Sequence, residues 1–424
     1  MLGTAAVAAL VASVSAATAG GFAIREQSTQ FMGTAWAGSA AGGGLSSMFW
    51  NPAALSTVQG TNTEANLSGL FLSSEDTVLP GSTFFGAGPP LQNGNSGDLG
   101  GFAVVPATYM GTQLSKDLYL GFSMNSPFGL ATEADWGWAG ATQARTSKIF
   151  TLNATPTMAY RIAPGITIGA GLQVEYMKVT LKSASGPLIT SPSVQTKGED
   201  TAFGFTAGVH LQPLPGTQIG IGYRSSIDHD LEGGVTITAA HFPLVPAIHA
   251  PLKTPDTVTV SLRQKVTPAL DVLLTGEWSQ WSNLDALRVF NQNGGGLVAN
   301  KSLNWHDGYL VSGGIEYQMS PGMLLRGGVA WEKSPIQNAT ERLVSLPDND
   351  RIWLSLGASY KWSEMITFDA SYAHVFVADG QIDRGPAQGE PVRVVADTSS
   401  STDIISLGMK LRWGGAAAPV EPLK

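Results

Sequence analysis

The sequence predicts an all-β protein, a 14-stranded antiparallel transmembrane β-barrel plugged by its own N-terminal hatch. Apolar and polar residues alternate over stretches of 10 to 14 residues, which is the length that a tilted strand needs to cross a bilayer. The connections between these stretches are alternately short and long, as in membrane barrels. A glycine-rich, aromatic segment precedes the first stretch and shows no such alternation.

The composition fits a membrane protein built from strands. Charged residues make up only 13% of the 424 residues, and no run of about 18 apolar residues follows the first 20, so no transmembrane helix is predicted. The absence of cysteine excludes disulfides, iron–sulfur clusters and cysteine-ligated zinc, and we expect no cofactor. The net charge of −8 is spread along the chain without basic patches, which argues against a nucleic-acid partner.

Residues 1–19 are predicted to be a signal peptide. Ala5 to Val14 form its apolar region, and Ala17-Thr18-Ala19 is a cleavage motif that would leave a chain starting at Gly20. No lysine or arginine precedes the apolar region, which departs from the usual pattern. The alternative interpretation is a buried N-terminal helix.

The barrel is predicted to occupy residues 62–413. In the stretch that starts at Arg351, Ile352, Leu354 and Leu356 share one face, and Ser355 lies on the other. Fourteen such strands are predicted, at 62–72, 101–114, 117–126, 147–162, 165–182, 200–212, 216–230, 254–266, 268–281, 306–319, 322–332, 351–362, 363–377 and 401–413.

The connections distinguish a membrane barrel from a soluble all-β protein. Short turns such as Ser115-Lys116 and Ser320-Pro321 alternate along the chain with long connections such as 73–100 and 231–253. A membrane barrel has this asymmetry, with tight periplasmic turns and long external loops. A secreted propeller or solenoid is the alternative, but no repeat of about 40 residues is visible.

The two ends of the chain outside the barrel differ in character. Residues 414–424 contain two prolines and small residues and are predicted to be a disordered periplasmic tail after Trp413. Residues 20–61 carry many aromatic residues, and such a segment would not stay dissolved in the periplasm. We therefore expect it to fold inside the barrel as the hatch, where its glycines permit tight turns and Asn51-Pro52 sets one of them.

The stretch from Gly20 to Ser56 resembles the hatch of the FadL family, the long-chain fatty acid transporters of bacterial outer membranes. The matching motifs are Gly21-Phe22 near its start and Asn51-Pro52-Ala53 near its end. Three later stretches also resemble the family: NSPFGLATEADW at 125–136, NWHDGYLVSGGIEY at 304–317 and SLPDNDRIWLSLGASY at 345–360. The resemblance covers the whole predicted mature chain.

The resemblance implies uptake of hydrophobic molecules, first bound in a low-affinity groove between two external loops. One loop contributes Leu188 and Ile189. The other is 231–253, whose apolar residues would form an exposed binding patch, although the loops could simply pack on each other. The groove residues of this second loop are Phe242, Leu244, Val245 and Ile248.

The resemblance also implies a pocket inside the barrel that holds a carboxylate. Phe22 is its apolar candidate. Lys178 is expected to point inward because a break in the alternation near Tyr176 indicates a bulge. His306 occupies the position of a second basic ligand, and Arg351 beside Asp348 has inward parity. The alternative role for these charges is an ion-pair network that braces the barrel.

Two further expectations follow from the resemblance. Transport is expected to need a shift of the hatch and a lateral opening at the third strand, where Gly121, Asn125 and Pro127 lie. A histidine is mostly neutral near pH 7, so the substrate class stays open between fatty acids and uncharged aromatic or aliphatic hydrocarbons.

No enzyme motif is present, so the sequence does not predict an enzyme. A general diffusion porin is the second alternative, but porins line a water channel with many charges. We expect hydrophobic small molecules, including detergent-like ones, as ligands. We expect the chain to be a monomer. We expect it to be surrounded by outer-membrane lipid and lipopolysaccharide.

Overall fold

A computed structural model describes residues 20–238 and 242–413. The predicted signal peptide at 1–19 and the predicted tail at 414–424 lie outside these residues. No helix among the described residues is long and apolar enough to span a bilayer.

Almost all of the regular structure in the described residues is antiparallel β-sheet. The strands are β1 Thr61–Val78, β2 Phe102–Gln113, β3 Leu118–Asn125, β4 Gly129–Glu133, β5 Thr146–Ala163, β6 Ile166–Ala184, β7 Ser193–Leu214, β8 Thr217–Arg224, β9 Asp228–Ile237, β10 Phe242–Lys253, β11 Thr257–Thr267, β12 Leu270–Ser279, β13 Ala286–Asn291, β14 Leu297–Ser302, β15 Gly308–Ser320, β16 Met323–Lys333, β17 Arg351–Lys361, β18 Ile366–Val377, β19 Gly380–Arg384 and β20 Val394–Trp413. The helical elements are α1 Thr29–Met32 and the 3-10 helices Ser39–Ala41, Leu45–Phe49, Pro52–Thr57, Trp281–Asn283 and Pro386–Gln388.

These strands form one closed barrel of 14 antiparallel wall strands, which confirms the predicted fold class. Closure occurs where β1 pairs with β20, from Thr61 opposite Trp413 to Val78 opposite Ala396. Some wall strands are divided into two consecutive pieces. The two pieces count as one wall strand because both pair with the same neighbouring wall strands. These pairs are β3 with β4, β8 with β9, β10 with β11, β12 with β13, β14 with β15, and β18 with β19.

The short connections all lie at one end of the barrel, and the long ones contain more strand than the sequence pattern indicates. The region 231–253 was predicted to be a loop outside the membrane, and the predicted loop conformation is wrong. It continues the wall as a hairpin of β9 and β10. Prolines and paired glycines interrupt the alternation there, and register shifts occur on both sides of Val245, so the pattern does not read as a strand.

The two faces of the wall differ as a membrane barrel requires. Along β1, Leu67 and Phe71 are about half exposed on the outer surface, whereas Glu64, Asn66 and Ser68 are buried toward the interior. Apolar side chains on the outer face contact lipid without a desolvation cost. Polar side chains on the inner face form hydrogen bonds to residues 20–60 inside the barrel.

Residues 20–60 fill the interior as a plug, and most of their side chains are buried. Asn51 holds the last 3-10 helix of the plug. Its side-chain oxygen accepts from the Ala53 amide at 3.0 Å, and its nitrogen donates to the carbonyls of Ala40 and Val209 at 2.9 and 3.0 Å. The Asn51-Pro52-Ala53 motif thus joins two parts of the plug to the wall strand β7.

Glycines in the wall allow the plug backbone to approach closely. A Cβ atom at Gly222 would lie 1.8 Å from the Trp50 carbonyl oxygen, and one at Gly220 would lie 1.8 Å from that of Ala40. Any side chain at these positions would collide with plug backbone, which cannot turn aside as a flexible side chain can. The high glycine content therefore serves the contact between wall and plug.

The third wall strand is interrupted between Asn125 and Gly129, where β3 ends and β4 begins. In the described pairings, β3 bonds to both β2 and β5, whereas β4 bonds to β5. The plug occupies this interruption. The Ile24 amide donates to the Pro127 carbonyl at 2.8 Å, and the Gly129 amide donates to the Phe22 carbonyl at 2.9 Å.

Candidate functional site

A cavity of about 260 Å³, here named the outer chamber, lies above the plug toward the end with long connections. Its apolar walls come from eight wall strands, from the connections beside them and from the plug. The apolar residues that line it include Phe22, Leu130, Ile149, Val179, Leu181, Leu231, Ile248, Leu252, Leu284, Leu287, Leu303, Trp305 and Leu346. A cavity of this size and lining suits an elongated apolar molecule.

Four cationic side chains also line the outer chamber. Arg288 pairs with Asp285 at 2.6 Å, and Lys301 pairs with Glu390 at 2.9 Å. Lys182 and Lys197 make no side-chain hydrogen bond or ion pair with the residues that the structure describes. They extend from neighbouring strands, since Lys182 of β6 pairs with Gln195 two residues before Lys197. Two ammonium groups are thus available to an anion at a mainly apolar chamber.

An aromatic cluster closes the inner end of this chamber. The ring of Phe22 lies 4.8 Å from Trp281, 5.8 Å from Phe128 and 6.2 Å from Trp305, measured between centroids. These distances are typical of favourable aromatic pairs, most of them edge-to-face. We name this cluster the aromatic partition.

A second cavity of about 60 Å³, here named the inner chamber, lies on the other side of the aromatic partition. Phe128 lines this chamber, as Phe22 lines the outer one. Plug residues form one side, and polar residues of the wall form the other. The wall residues include Gln173, Arg224, Ser225, Thr254, Thr257, Thr259, Glu277 and Ser279.

Buried carboxylates bind the first residues of the plug. Glu332 accepts the Gly20 amide at 2.9 Å and the Arg25 guanidinium at 3.0 Å, and Arg25 also pairs with Glu277 at 2.5 Å. Asp348 accepts the Gly21 amide at 2.8 Å. Each of these carboxylates is buried, so the network fixes the N-terminal end of the plug through charge-assisted hydrogen bonds.

Glu26, the next residue in the plug, is expected to make stability depend on pH. Burial raises the pKa of Glu26 from 4.5 to about 7, and its Oε2 atom has no hydrogen-bond partner in the described residues. A carboxyl group with a raised pKa stabilises the fold fully below pH 4.5, and that stability is lost as the pH rises through 7. The loss is on the order of 3 kcal/mol.

Thermal unfolding at pH 5 and pH 8 would check this prediction. We expect Glu26→Gln to raise the unfolding midpoint at pH 8 and to flatten the difference between the two values. Arg25, Glu332 and Arg351 are the charged groups that act on the Glu26 carboxyl. An unchanged pH dependence in the variant would contradict the assignment.

Three of the residues predicted for the pocket lie inside the barrel. Phe22 lines the outer chamber. Arg351 is buried, as its parity predicted, and it forms an ion pair with the buried Asp348. Neither of these two lines a chamber, because they face the start of the plug instead. Their contacts correspond to the alternative prediction, an ion-pair network that braces the barrel.

The predicted inward orientation of Lys178 is wrong. Its side chain is 48% exposed on the outer surface and pairs with Glu199 at 3.4 Å. β6 pairs with β7 without a register shift, so the predicted bulge near Tyr176 is also absent from this ladder. The apolar pattern changes because Val179 and Leu181 face the apolar outer chamber, whereas Tyr176 belongs to the outer face.

His306 does not line the outer chamber, although its neighbour Trp305 does. The His306 side chain is 49% exposed and its Nε2 atom lies 3.3 Å from a Glu341 oxygen. The family resemblance implied that His306 is a second basic ligand of the pocket, and the predicted strand 306–319 began at this residue. β15 begins only at Gly308, so the side chains before it follow a loop conformation.

The predicted groove residues lie in different surroundings. Leu188 bridges to Leu91, and the Ile189 carbonyl accepts from the Trp136 indole at 2.8 Å. Leu244 is exposed and Val245 half-buried on β10, and Ile248 is buried and lines the outer chamber. The side chain of Phe242 lies outside what the structure describes. Of this set, only Ile248 contributes to a described chamber.

The residues predicted for lateral opening lie beside the plug. Gly121 faces hatch side chains, since a Cβ there would be 2.7 Å from Met48. Asn125 donates to the Tyr109 hydroxyl at 2.8 Å, and Pro127 lines the inner chamber. The strand is interrupted after Asn125 and not at Gly121, so the glycine serves close packing on the plug.

The sequence analysis missed several residues that lie at the site. Lys182 and Lys197 lie near strand ends that the alternation does not resolve, and Trp281 follows a strand in a 3-10 helix. Glu277, Glu332 and Arg224 are charges within predicted strands, and their inward parity could have identified them. The described residues contain no cluster of histidine, aspartate or glutamate side chains that could hold a metal ion.

The chain matches a known protein family over residues 8–413, described as "Outer membrane protein transport protein (OMPP1/FadL/TodX)". Two relatives illustrate the match. Outer membrane protein P1 of Haemophilus influenzae is 26% identical over 412 residues, covering 87% of this chain and 88% of the relative. The long-chain fatty acid transport protein of Escherichia coli is 23% identical over 356 residues, covering 74% of this chain and 79% of that protein.

Solved structures share the fold. A FadL homologue from Pseudomonas aeruginosa superposes with a TM-score of 0.84 at 19% identity, covering 93% of this chain and all of the homologue (100%). The toluene transporter TodX of Pseudomonas putida superposes with a TM-score of 0.69 at 15% identity, covering 91% of this chain and 98% of TodX.

Proposed function

Because this chain belongs to the OMPP1/FadL/TodX family of outer membrane transport proteins, we propose that it takes up long-chain fatty acids or similar amphiphiles with an anionic head group. The family resides in the bacterial outer membrane and transports hydrophobic compounds. Its members are transporters or channels and not enzymes. The choice of an anionic amphiphile goes further and rests on one observation, the pair of lysines at the outer chamber.

An apolar chamber alone would suit any hydrocarbon, but unpaired cations beside it favour an acid. Lys182 and Lys197 line the chamber without a side-chain partner in the described part of the chain. A carboxylate placed between them would receive charge-assisted hydrogen bonds while its chain lies against Phe22 and Leu303. Fatty acids present this combination of one anionic end and a long apolar chain.

Uptake of uncharged hydrocarbons is the alternative, because one structural relative is a toluene transporter and most of the chamber lining is apolar. A general diffusion porin is a weaker alternative, because the plug fills the interior that an aqueous channel would need. Uptake of an anionic amphiphile requires the two lysines for binding, whereas uptake of hydrocarbons does not. A porin would conduct ions through the barrel.

The proposed route has four stages. An amphiphile first adsorbs to exposed apolar residues near Leu188 and Leu244. It then enters the outer chamber, and a shift of the plug opens the aromatic partition. The interruption between Asn125 and Gly129 is the proposed lateral exit, because plug backbone bonds to Pro127 and Gly129 there, while β5 bonds to Phe128 through the Thr151 side chain.

Binding to purified protein would test the proposed substrate class. We expect the double variant Lys182→Gln, Lys197→Gln to bind oleate at least about 100-fold more weakly, because each of the two charge-assisted hydrogen bonds contributes roughly 1.5–3 kcal/mol. Oleyl alcohol, which has the same chain length and no charge, should bind both proteins equally. The detergent needs a short chain, since detergent tails would compete for the chamber.

Lys178→Gln is the matched control, because Lys178 lies on β6 like Lys182 but faces the outside of the barrel. It should bind oleate like the unmodified protein. Equal affinity of the double variant for oleate would refute the carboxylate site and favour the hydrocarbon alternative. A steady ion conductance without ligand binding would favour the porin alternative.

A further inference from the structure

The inner chamber contains a guanidinium that has no direct polar partner among the described residues. The side chain of Arg224 lines this chamber and forms no hydrogen bond or ion pair with the residues that the structure describes. Its Nη2 atom is buried, and its contact is with the ring of Phe49, 4.5 Å away. By contrast, Arg25 lines the same chamber and is bound by two carboxylates.

The nearby acids are already occupied by other groups. Glu277 accepts from Arg25 and from the Thr259 hydroxyl, at 2.5 and 3.0 Å. Glu175 accepts from Asn153 at 2.9 Å and lies 3.4 Å from His229. A buried guanidinium with free donors is costly unless an anion binds it, so Arg224 presents a site for an anionic group.

We propose that the inner chamber is a second head-group site, in which Arg224 binds the carboxylate of an amphiphile that has passed the aromatic partition. This inference rests on the proposed function and adds a site that the outer chamber does not provide. The guanidinium offers five N–H donors in a planar arrangement that suits a carboxylate.

The size of the chamber agrees with a head group rather than a chain. Its volume is about 60 Å³, compared with about 260 Å³ for the outer chamber. Hydroxyl groups of Thr254 and Thr257 add polar lining on the wall side. The small polar volume would therefore accept a carboxylate while the apolar chain still occupies the outer chamber or the exit.

The position of the chamber assigns the step at which Arg224 acts. Phe128 separates it from Phe22 and the outer chamber, with 5.8 Å between the ring centroids. Pro127 and Phe128 line the inner chamber and lie within the interruption of the third wall strand. A carboxylate at Arg224 would thus be next to the proposed lateral exit, and the guanidinium would offset its loss of hydration on the way there.

Uptake measurements would test this role separately from binding. The variants are Arg224→Gln, Arg224→Lys and the control Arg161→Gln, whose arginine bonds to Tyr119 at 2.7 Å and lines neither chamber. We expect Arg224→Gln to lower the oleate uptake rate about tenfold, the cost of one charge-assisted hydrogen bond. Oleyl alcohol uptake and equilibrium binding of oleate to purified protein should stay unchanged, and Arg224→Lys should keep most of the oleate rate.

The outcomes separate this inference from the proposed function. If Arg224→Gln takes up oleate at the unmodified rate, or loses oleate and oleyl alcohol uptake equally, the inner head-group site is refuted while the outer one stands. An equal loss would assign Arg224 to packing against Phe49. If the unmodified protein binds neither compound, the proposed function fails and the inner site fails with it.

Discussion

Replacing Glu332 with glutamine is expected to release the N-terminal end of the plug and to lower the free energy of unfolding by about 3–5 kcal/mol. Glu332 is buried and accepts from Gly20 and Arg25, while Trp353 donates to its second oxygen at 3.0 Å. The amide would leave the largely buried guanidinium groups of Arg25 and Arg351 with less negative charge around them.

Two measurements would report this effect. Thermal unfolding followed by circular dichroism gives the stability, and hydrogen exchange of residues 20–27 gives the order of the plug. Glu364→Gln is the matched control, because Glu364 pairs with Lys361 at the surface and exposed pairs contribute little. Exchange as slow in Glu332→Gln as in the unmodified protein would show that the plug is held by other contacts.

A methyl group at Gly222 is expected to push the plug away from the wall. The Cβ of Gly222→Ala would lie 1.8 Å from the Trp50 carbonyl oxygen, and the obstacle is backbone and not a flexible side chain. Overpacking of this kind typically costs about 1–3 kcal/mol. We expect a gap between plug and wall and therefore a steady ion conductance in planar bilayers, where the unmodified protein should be closed.

Gly276→Ala provides the comparison for this experiment. Gly276 lies on β12, and a Cβ there would have no heavy atom within 4 Å. This variant should remain closed and equally stable. If Gly222→Ala is also closed and unfolds at the unmodified temperature, the plug must adjust to the extra methyl group, and the close fit would not control the interior.

The wall of the barrel could be predicted from sequence because lipid imposes a simple rule. Every second residue must be apolar, and the length must match the bilayer, so all fourteen strands were found. The β9–β10 hairpin escaped prediction because it rises beyond the region where that rule applies. Prolines and paired glycines are tolerated there, and the alternation is lost.

The candidate site was harder to predict, and Lys178 shows why. We took the apolar face of β6 to be the lipid face along its whole length. Within the outer chamber the inward face is apolar as well, so Val179 and Leu181 appeared to shift the pattern by one residue. The apparent shift was a sign of the chamber itself. Arg351 was oriented correctly because the interior at its level is polar.

The contacts of the plug have a consequence for the order of folding. Its first residues bond to groups more than 300 positions later in the chain, with Gly20 to Glu332 separated by 312 residues and Gly21 to Asp348 by 327. Contacts of such high sequence separation form late, since most of the chain must be arranged first. The part of the predicted mature chain that the ribosome makes first is thus the part that completes its structure last. Until the barrel closes, the aromatic residues of the plug have no interior to bury them, and exposed apolar surface of this kind is prone to aggregation.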